Sequence, residues 1–314
     1  MTTSTPILAP YQMASVEPLG EVLARPEELP DVPEFRIASY NVYNLFGKEH
    51  DVYTRRESEP ASAEQLTALA DMIIDLQADA IAFQEVQNEK VLSDLFRKKI
   101  NPRLRRRDEP TFTSFVCIPA ADPRGINVAL ATRFAVRSSL TFHDREFGDP
   151  ERRAVKFSRD LLGVELYATP TYRFLFFVSH LKSKMGGDSS ELKRRSEGQE
   201  IRSIFEGPVF GGGTLIDQDL ILAGDMNDDP DKKVIDILQG TDPQTALTDV
   251  LREVDPNYTY PTHTRYKKTR LDYIFASPSM TRRLDEATIH RDEPAATASD
   301  HFPVSVVVDV TQQS

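Results

Sequence analysis

Leu220-Ile221-Leu222-Ala223-Gly224-Asp225-Met226-Asn227-Asp228 is a short apolar run that stops at a glycine and turns to acid and amide. An apolar run of this length, bounded by a turn residue, reads as a strand buried on both faces. The same grammar recurs along the chain. Phe35–Tyr40 alternates apolar and polar residues and ends on Asn41; Asp79–Gln84 is nearly continuous and ends on Glu85. Tyr172–Ser179 ends on His180, Leu271–Ser277 contains Asp272 near its start, and Val304–Val310 follows Asp300-His301. Further strands are expected at Phe112–Ile118, Asn127–Thr132, Val136–His143, Arg153–Phe157 and Gly163–Ala168.

Helices fall between these runs. Ser62-Ala63-Glu64-Gln65 has the form of a capping box, and Leu66, Leu69, Ile73 and Leu76 follow at helical spacing. Asn88–Ile100 and Ser190–Glu206 read as helices, and Asp229-Pro230 as the start of a short one ending before Gly240. Many strands with helices at intervals imply an α/β fold of two packed sheets with helices outside. Residues 1–34 carry six prolines and read as an extended arm; residues 35–314 contain no internal repeat and no linker, and read as one catalytic domain.

Composition excludes several classes. Lys+Arg minus Asp+Glu is 38 − 49, a net charge of −11, which argues against a basic protein coating nucleic acid. The N-terminus has no secretory signal and the chain no run that spans a membrane, so a soluble, cytoplasmic monomer is expected. Cys117 is the single cysteine and lies in an apolar run, as a buried structural thiol would.

Acids and amides at the ends of apolar strands are costly to desolvate unless a cation or a hydrogen-bond network compensates them. One such residue fits a cap or a turn. Asn41, Glu85, Asn127, His180, Asp225, Asn227, Asp272, Asp300 and His301 together define a site. Oxygen ligands suit hard cations such as Mg²⁺, Mn²⁺ or Ca²⁺. His180 and His301 have acids nearby for proton transfer. The sequence has no phosphate-binding Gly-x-x-x-x-Gly-Lys-Ser/Thr loop and no Gly-x-Ser-x-Gly elbow. Metal, histidine and acid without a covalent nucleophile point to metal-assisted hydrolysis of a phosphate ester by water.

The ordered set Ser39-Tyr40-Asn41-Val42-Tyr43-Asn44-Leu45, Gln84-Glu85-Val86, Asn127-Val128-Ala129, Ser158-Arg159-Asp160, Ser179-His180-Leu181-Lys182-Ser183, Gly224-Asp225-Met226-Asn227, Arg270-Leu271-Asp272-Tyr273 and Ser299-Asp300-His301-Phe302 resembles the endonuclease/exonuclease/phosphatase superfamily. That group includes deoxyribonuclease I, inositol-phosphate 5-phosphatases and sphingomyelinases. The resemblance implies a four-layered α/β sandwich with its site at one edge of two mixed sheets. It implies Glu85 as principal metal ligand with Asn41 beside it and Asp300 in support. It further implies Asp225 and Asn227 as the pair that orients water, His301 with Asp272 as the acid/base dyad, His180 as a second phosphate contact, and Arg159 as a phosphate-binding arginine. Asn127 is placed with the substrate-binding residues. Whether His301 or Asp225 takes the proton is open at this stage.

Departures narrow the branch. Tyr43 stands where abasic-site endonucleases usually carry an acid, there is no tryptophan, and Asp228-Asp229-Pro230 replaces the Tyr-Arg of the 5-phosphatases. The His180-Leu181-Lys182-Ser183-Lys184 run is closer to a bacterial nuclease-like branch. Among the local basic clusters, Arg265, Tyr266, Lys267 and Lys268 precede Asp272 closely enough to meet a polymer backbone, with Tyr266 available to stack on a base. The leading expectation is therefore a metal-dependent phosphodiesterase with nucleic acid as substrate. A phosphatase or lipid phosphodiesterase acting on small or lipid phosphates is the alternative, and an inactive binding module of the same fold the third reading.

Overall fold

A computed structural model describes residues 25–48, 59–120, 122–148, 151, 153–209, 212–263 and 267–312. Most of the Pro-rich arm, and Arg265 and Tyr266, lie outside the described residues. The body is the expected sandwich. One six-stranded sheet has the order β13 (Leu284–Ile289), β14 (Val304–Asp309), β1 (Glu34–Leu45), β2 (Ala80–Val86), β4 (Asn127–Thr132), β3 (Ser114–Val116). The other has the order β11 (Thr248–Asp249), β12 (Asp272–Ala276), β10 (Leu220–Asp225), β9 (Arg173–His180), β8 (Leu161–Tyr167), β5 (Ala135–Thr141). Both sheets are mixed: β1 runs parallel to β2 and β10 parallel to β9, and the remaining pairs are antiparallel. A small hairpin, β6 (Phe147–Gly148) with β7 (Ala154–Val155), stands apart.

Side-chain parity separates the layers. On β9, Phe174, Phe176 and Val178 join the large core shared by the two sheets, while Leu175 and Phe177 face a second core with Phe205. That second core packs under α4 (Gly187–Phe205) and α5 (Lys233–Gln239). On the other side, α1 (Ala63–Asp75) and α2 (Glu89–Leu95) add Leu69, Ile73 and Leu92 to the first core. Cys117 is buried there as a free thiol.

Several local expectations are corrected. The Asn88 helix does not stop at Ile100. It passes through a π-turn at Phe96–Ile100 into α3 (Asn101–Arg106), where Pro102 has no N–H to continue the regular ladder. The helix expected from Asp229-Pro230 starts at Lys233, because Asp229 is held by Lys184 (2.5 Å) and Thr269 instead of capping it. Only half of the capping box forms: Ser62 Oγ accepts from Gln65 N (3.0 Å), while the Gln65 amide donates to Tyr43 O (3.1 Å). The polar edge strand β13 was not expected from its sequence, Leu-Asp-Glu-Ala-Thr-Ile, which has no apolar alternation. The runs expected as strands at Phe112–Ile118 and Arg153–Phe157 shorten to β3 and β7.

Candidate active site

The site begins as a register row. Across three neighbouring strands Asp225 pairs with His180 on one side and Asp272 on the other. Parity puts all three between the sheets. His180 continues the Phe174-Phe176-Val178 face, Asp225 the Ile221-Ala223 face, and Asp272 the face of Ile274 and Ala276. The inter-sheet apolar layer therefore ends in two acids and a histidine, all buried. Gly224 makes the row possible. It lies at φ +148°, and a Cβ there would sit 1.9 Å from Ser179 O, so only glycine lets β10 approach β9.

The facing sheet supplies the rest. Asn41 Nδ2 donates to Asp225 Oδ2 (3.1 Å), and Asn41 O accepts from Ser299 Oγ (2.7 Å). Ser299 Oγ in turn accepts from His301 N (3.1 Å), so the 299–301 segment hangs on Asn41. His301 Nδ1 is 2.8 Å from Asp272 Oδ2, and its Nε2 lies 3.8 Å from Asp225 Oδ2 and 4.0 Å from Asp300 Oδ1. His180 Nε2 is 3.5 Å from the same Asp225 Oδ2. Asp225 Oδ1 accepts from Asn227 N (2.8 Å), which leaves Oδ2 as the oxygen where the two sheets meet. The Tyr260 ring packs against His301 at 4.9 Å.

The backbone around this centre is held in unusual conformations. Tyr43, Asn44, Glu85 and Asn227 all have positive φ, a costly region for residues with a Cβ that persists where surroundings enforce it. Asn44 N donates to Glu85 Oε2 (3.0 Å), so the turn after Asn41 aims the Glu85 carboxylate.

Electrostatics follow from crowding acids into a buried place. Burial opposes a charge on His301, but Asp272, its hydrogen bond, Asp225 and Asp300 outweigh burial and raise its pKa to about 10. Burial lifts Asp225 to about 7, with His301 opposing and Asp272 and Glu85 adding repulsion. Burial also raises Asp300, with Glu85 and Asp272 contributing. His180 is pushed well below the usual histidine value, first by burial and then by Arg159, Arg124 and His301. Asp272 Oδ1 and His180 Nδ1 have no hydrogen-bond partner among the described residues.

This donor set fits a hard divalent cation. Carboxylates repel one another around Glu85, Asp225 and Asp300. Asn41 Oδ1, which accepts one hydrogen bond from Tyr43 N (3.1 Å), has a second lone pair as a neutral oxygen ligand. Asp225, Asp272 and His301 also bring one ligand atom each within 4.8 Å of one another, with His301 Nδ1 and Asp272 Oδ2 joined by a hydrogen bond.

Helix α4 braces the site, and sequence reading missed this. Glu197 is fully buried and accepts from Ser158 N (2.7 Å) and Lys182 N (2.8 Å). Three residues earlier, Arg194 donates to Lys182 O (3.2 Å) and to Asp228 Oδ2 (3.2 Å). One polar helix face thus fixes three loops. Arg194 and Glu197 sit at helical spacing, but in a helix rich in charge no local signal marks them as buried. A second brace is the buried pair Arg270–Asp249, which anchors the chain just before Asp272.

Other expected site residues are placed differently. Asn127 is engaged locally: Ala120 N donates to its Oδ1 (2.7 Å), and its Nδ2 donates to Gln87 O (2.7 Å). Arg159 is buried; it donates to Leu181 O (2.9 Å), and its Nε lies 2.9 Å from Asp122 Oδ2 without hydrogen-bond alignment. Leu181 O also accepts from Asn227 Nδ2 (3.1 Å), so Arg159 and Asn227 are tied to the same carbonyl. Lys268 donates to Tyr258 OH (2.9 Å) and lies over that ring, while Lys267 is exposed.

A four-layered α/β sandwich with this acid, amide and histidine cluster at one sheet edge defines a phosphoester hydrolase of the deoxyribonuclease I-like class. The chain belongs to the Endonuclease/Exonuclease/phosphatase family, whose model matches residues 38–301. Among curated protein sequences none matches the chain. Solved structures share its fold. The human nocturnin catalytic domain with bound sulfate anion is 19% identical over 88% of this chain and 93% of that one, with a TM-score of 0.58. Truncated Caenorhabditis elegans TDP2 is 15% identical over 88% and 98%, with a TM-score of 0.57. A mannosyl-6-phosphatase of Bacteroides thetaiotaomicron is 19% identical over 87% and 99%, with a TM-score of 0.57. At these identities the likeness is one of fold.

Proposed function

We propose that this chain hydrolyses phosphodiester bonds of nucleic acid, DNA or RNA, by attack of water, with Mg²⁺, Mn²⁺ or Ca²⁺ as cofactor. One observation carries the reading: Asn41, His180 and His301, from three separate segments, converge on Asp225 Oδ2 at 3.1, 3.5 and 3.8 Å. A phosphoryl group at that point meets two imidazoles and a carboxylate. Asp225 aligns the attacking water and accepts its proton, with Asn227 holding the other carboxylate oxygen in place. His301, fixed through Nδ1 by Asp272, turns Nε2 toward the phosphoryl oxygens and the leaving group, where it donates a proton. His180 gives a second hydrogen bond to the phosphoryl oxygens.

Glu85, Asn41 and Asp300 would hold the divalent ion, which when bound neutralises charge on a phosphoryl oxygen. The family's own range, from endonucleases to phosphatases, supports ester hydrolysis; the choice of a polymer substrate is our reading. Supercoiled plasmid, single-stranded RNA and a panel of phosphomonoesters, each with Mg²⁺, Mn²⁺ and Ca²⁺, test it. Strand cleavage faster than phosphate release is expected. Phosphate release from monoesters with intact plasmid and RNA would replace the polymer by a small ester.

A further inference from the structure

Next to the catalytic row lies a second pocket of about 330 Å³, lined by Asp122, Lys156, Ser158, Arg159, Lys182 and Lys193. Its charge is opposite to that of the chain, which carries −11 overall. The single acid is already answered: Asp122 lies 2.9 Å from Arg159 Nε and 3.5 Å from Arg124 Nε. Lys156 faces Asp144 at 3.3 Å on the outer rim, where Asp144 is exposed. Lys193 is anchored by donating to Lys156 O. Lys182 differs from all of these. Its N–H is held by Glu197 and its C=O by Arg194, yet its ammonium makes no hydrogen bond or ion pair among the described residues. A rigid backbone thus presents an unanswered cation inside a concave, cationic wall, a shape that concentrates positive potential.

The position relates the pocket to the site. Lys182 stands two residues beyond His180, and the intervening Leu181 carbonyl holds both Arg159 and Asn227. On the Asp300 side of the centre the neighbouring cavity, about 380 Å³, is lined by Tyr43, Glu64, Gln65 and Asp300 among others and carries acid instead. A substrate with more than one phosphate would therefore be drawn in one direction, with its second anion toward Lys182.

We propose that this pocket is a second anion subsite that takes a phosphate group of the substrate other than the one hydrolysed. The proposal rests on the phosphoester-hydrolase reading and narrows its substrate to esters carrying two phosphates. The neighbouring phosphate of an oligonucleotide and the second phosphate of a small bisphosphate share this chemistry.

The test compares kcat/KM within matched pairs: thymidine dinucleotide with and without a 3′- or 5′-terminal phosphate, and fructose 1,6-bisphosphate against fructose 6-phosphate. The second phosphate should raise kcat/KM roughly tenfold or more in one pair, chiefly through KM, as a charge-assisted contact does. Which pair responds identifies the source of the anion. Lys182→Ala, and more fully Lys182→Ala with Lys193→Ala, should bring the ratio toward one. Lys182→Arg and the distant Lys233→Ala should retain it. No preference in either pair, or a preference that survives the double substitution, overturns the subsite. If the wild-type protein cleaves none of these esters, the subsite is judged by binding alone, and the hydrolase reading fails only if plasmid, RNA and the phosphomonoester panel also stay intact. Inorganic pyrophosphate titrated calorimetrically in EDTA should then bind the wild-type protein and not the doubly substituted one; no heat with the wild-type protein overturns it.

Discussion

Glu197→Gln changes one oxygen of a fully buried side chain into an amide nitrogen and nothing else in shape. In the native protein each carboxylate oxygen serves one donor, Ser158 N at 2.7 Å and Lys182 N at 2.8 Å. Glutamine keeps one of these bonds and turns an N–H₂ toward the other donor. A hydrogen bond to a charged group contributes about 1.5–3 kcal/mol, and a stranded buried N–H costs a similar amount. The expected destabilisation is on the order of 3 kcal/mol, which lowers Tm by roughly 6 °C in a domain of this size. The same change loosens the Ser158–Arg159 turn and the segment after His180, so kcat should fall roughly tenfold to a hundredfold through misplacement of the site. Thermal denaturation and steady-state turnover on one protein preparation read both effects. A Glu197→Gln protein with native Tm and native kcat would refute the bracing role of α4.

Three further outcomes are expected. EDTA should abolish turnover, and Glu85→Gln should raise the Mg²⁺ concentration for half activity by roughly tenfold, since one anionic ligand becomes neutral; full turnover in EDTA after dialysis would remove the metal from the mechanism. Asp272→Asn should lower kcat by on the order of 10²–10⁴, because His301 loses the carboxylate that orients its ring; the comparison is steady-state kcat at saturating substrate. His290 is held at a pKa of about 4, first by burial and then by Arg36, and its Nε2 lies 2.8 Å from Ser305 Oγ. The unfolded chain binds this proton near pH 6.5 and the folded one only near 4, so this contribution is complete above about pH 6.5 and is lost as pH falls toward 4. Denaturant melts of wild type and His290→Gln should therefore converge by about 3 kcal/mol between pH 7 and pH 4; a constant difference across that range would contradict it.

The His180–Asp225–Asp272 row was legible because each of these polar residues stands at a strand terminus on the parity of that strand's apolar face. Asp225 after Ile221 and Ala223, and His180 after Phe174, Phe176 and Val178, need no structure to be noticed. Two packed sheets followed from the same runs; the site at one sheet edge was what the family resemblance implied, and the order of strands within each sheet is known from the structure alone. What sequence hid were contacts whose meaning depends on a distant partner. Glu197 and Arg194 sit in a helix rich in charge, and nothing local says that its polar face is the buried one. Asn127 opens one expected strand and Asn41 follows another, yet the Asn127 amide is spent on Ala120 and Gln87, whereas Asn41 reaches across to Asp225. Lys268 looked like a free phosphate contact and instead sits on Tyr258. Backbone strain at Tyr43 and Glu85 was equally invisible, because tertiary surroundings and not residue type impose it.

The most direct test of the account is the turnover of His301→Ala on the phosphodiester that the wild-type protein cleaves best, measured at saturating Mg²⁺ with folding checked by circular dichroism. Asp272, Asp225 and Asp300 all lie within 4.0 Å of the His301 ring nitrogens. The account predicts a fall in kcat of on the order of 10²–10⁴ with the fold intact. A folded His301→Ala protein that turns over within about threefold of wild type, far below the loss of an acid/base group, would contradict it.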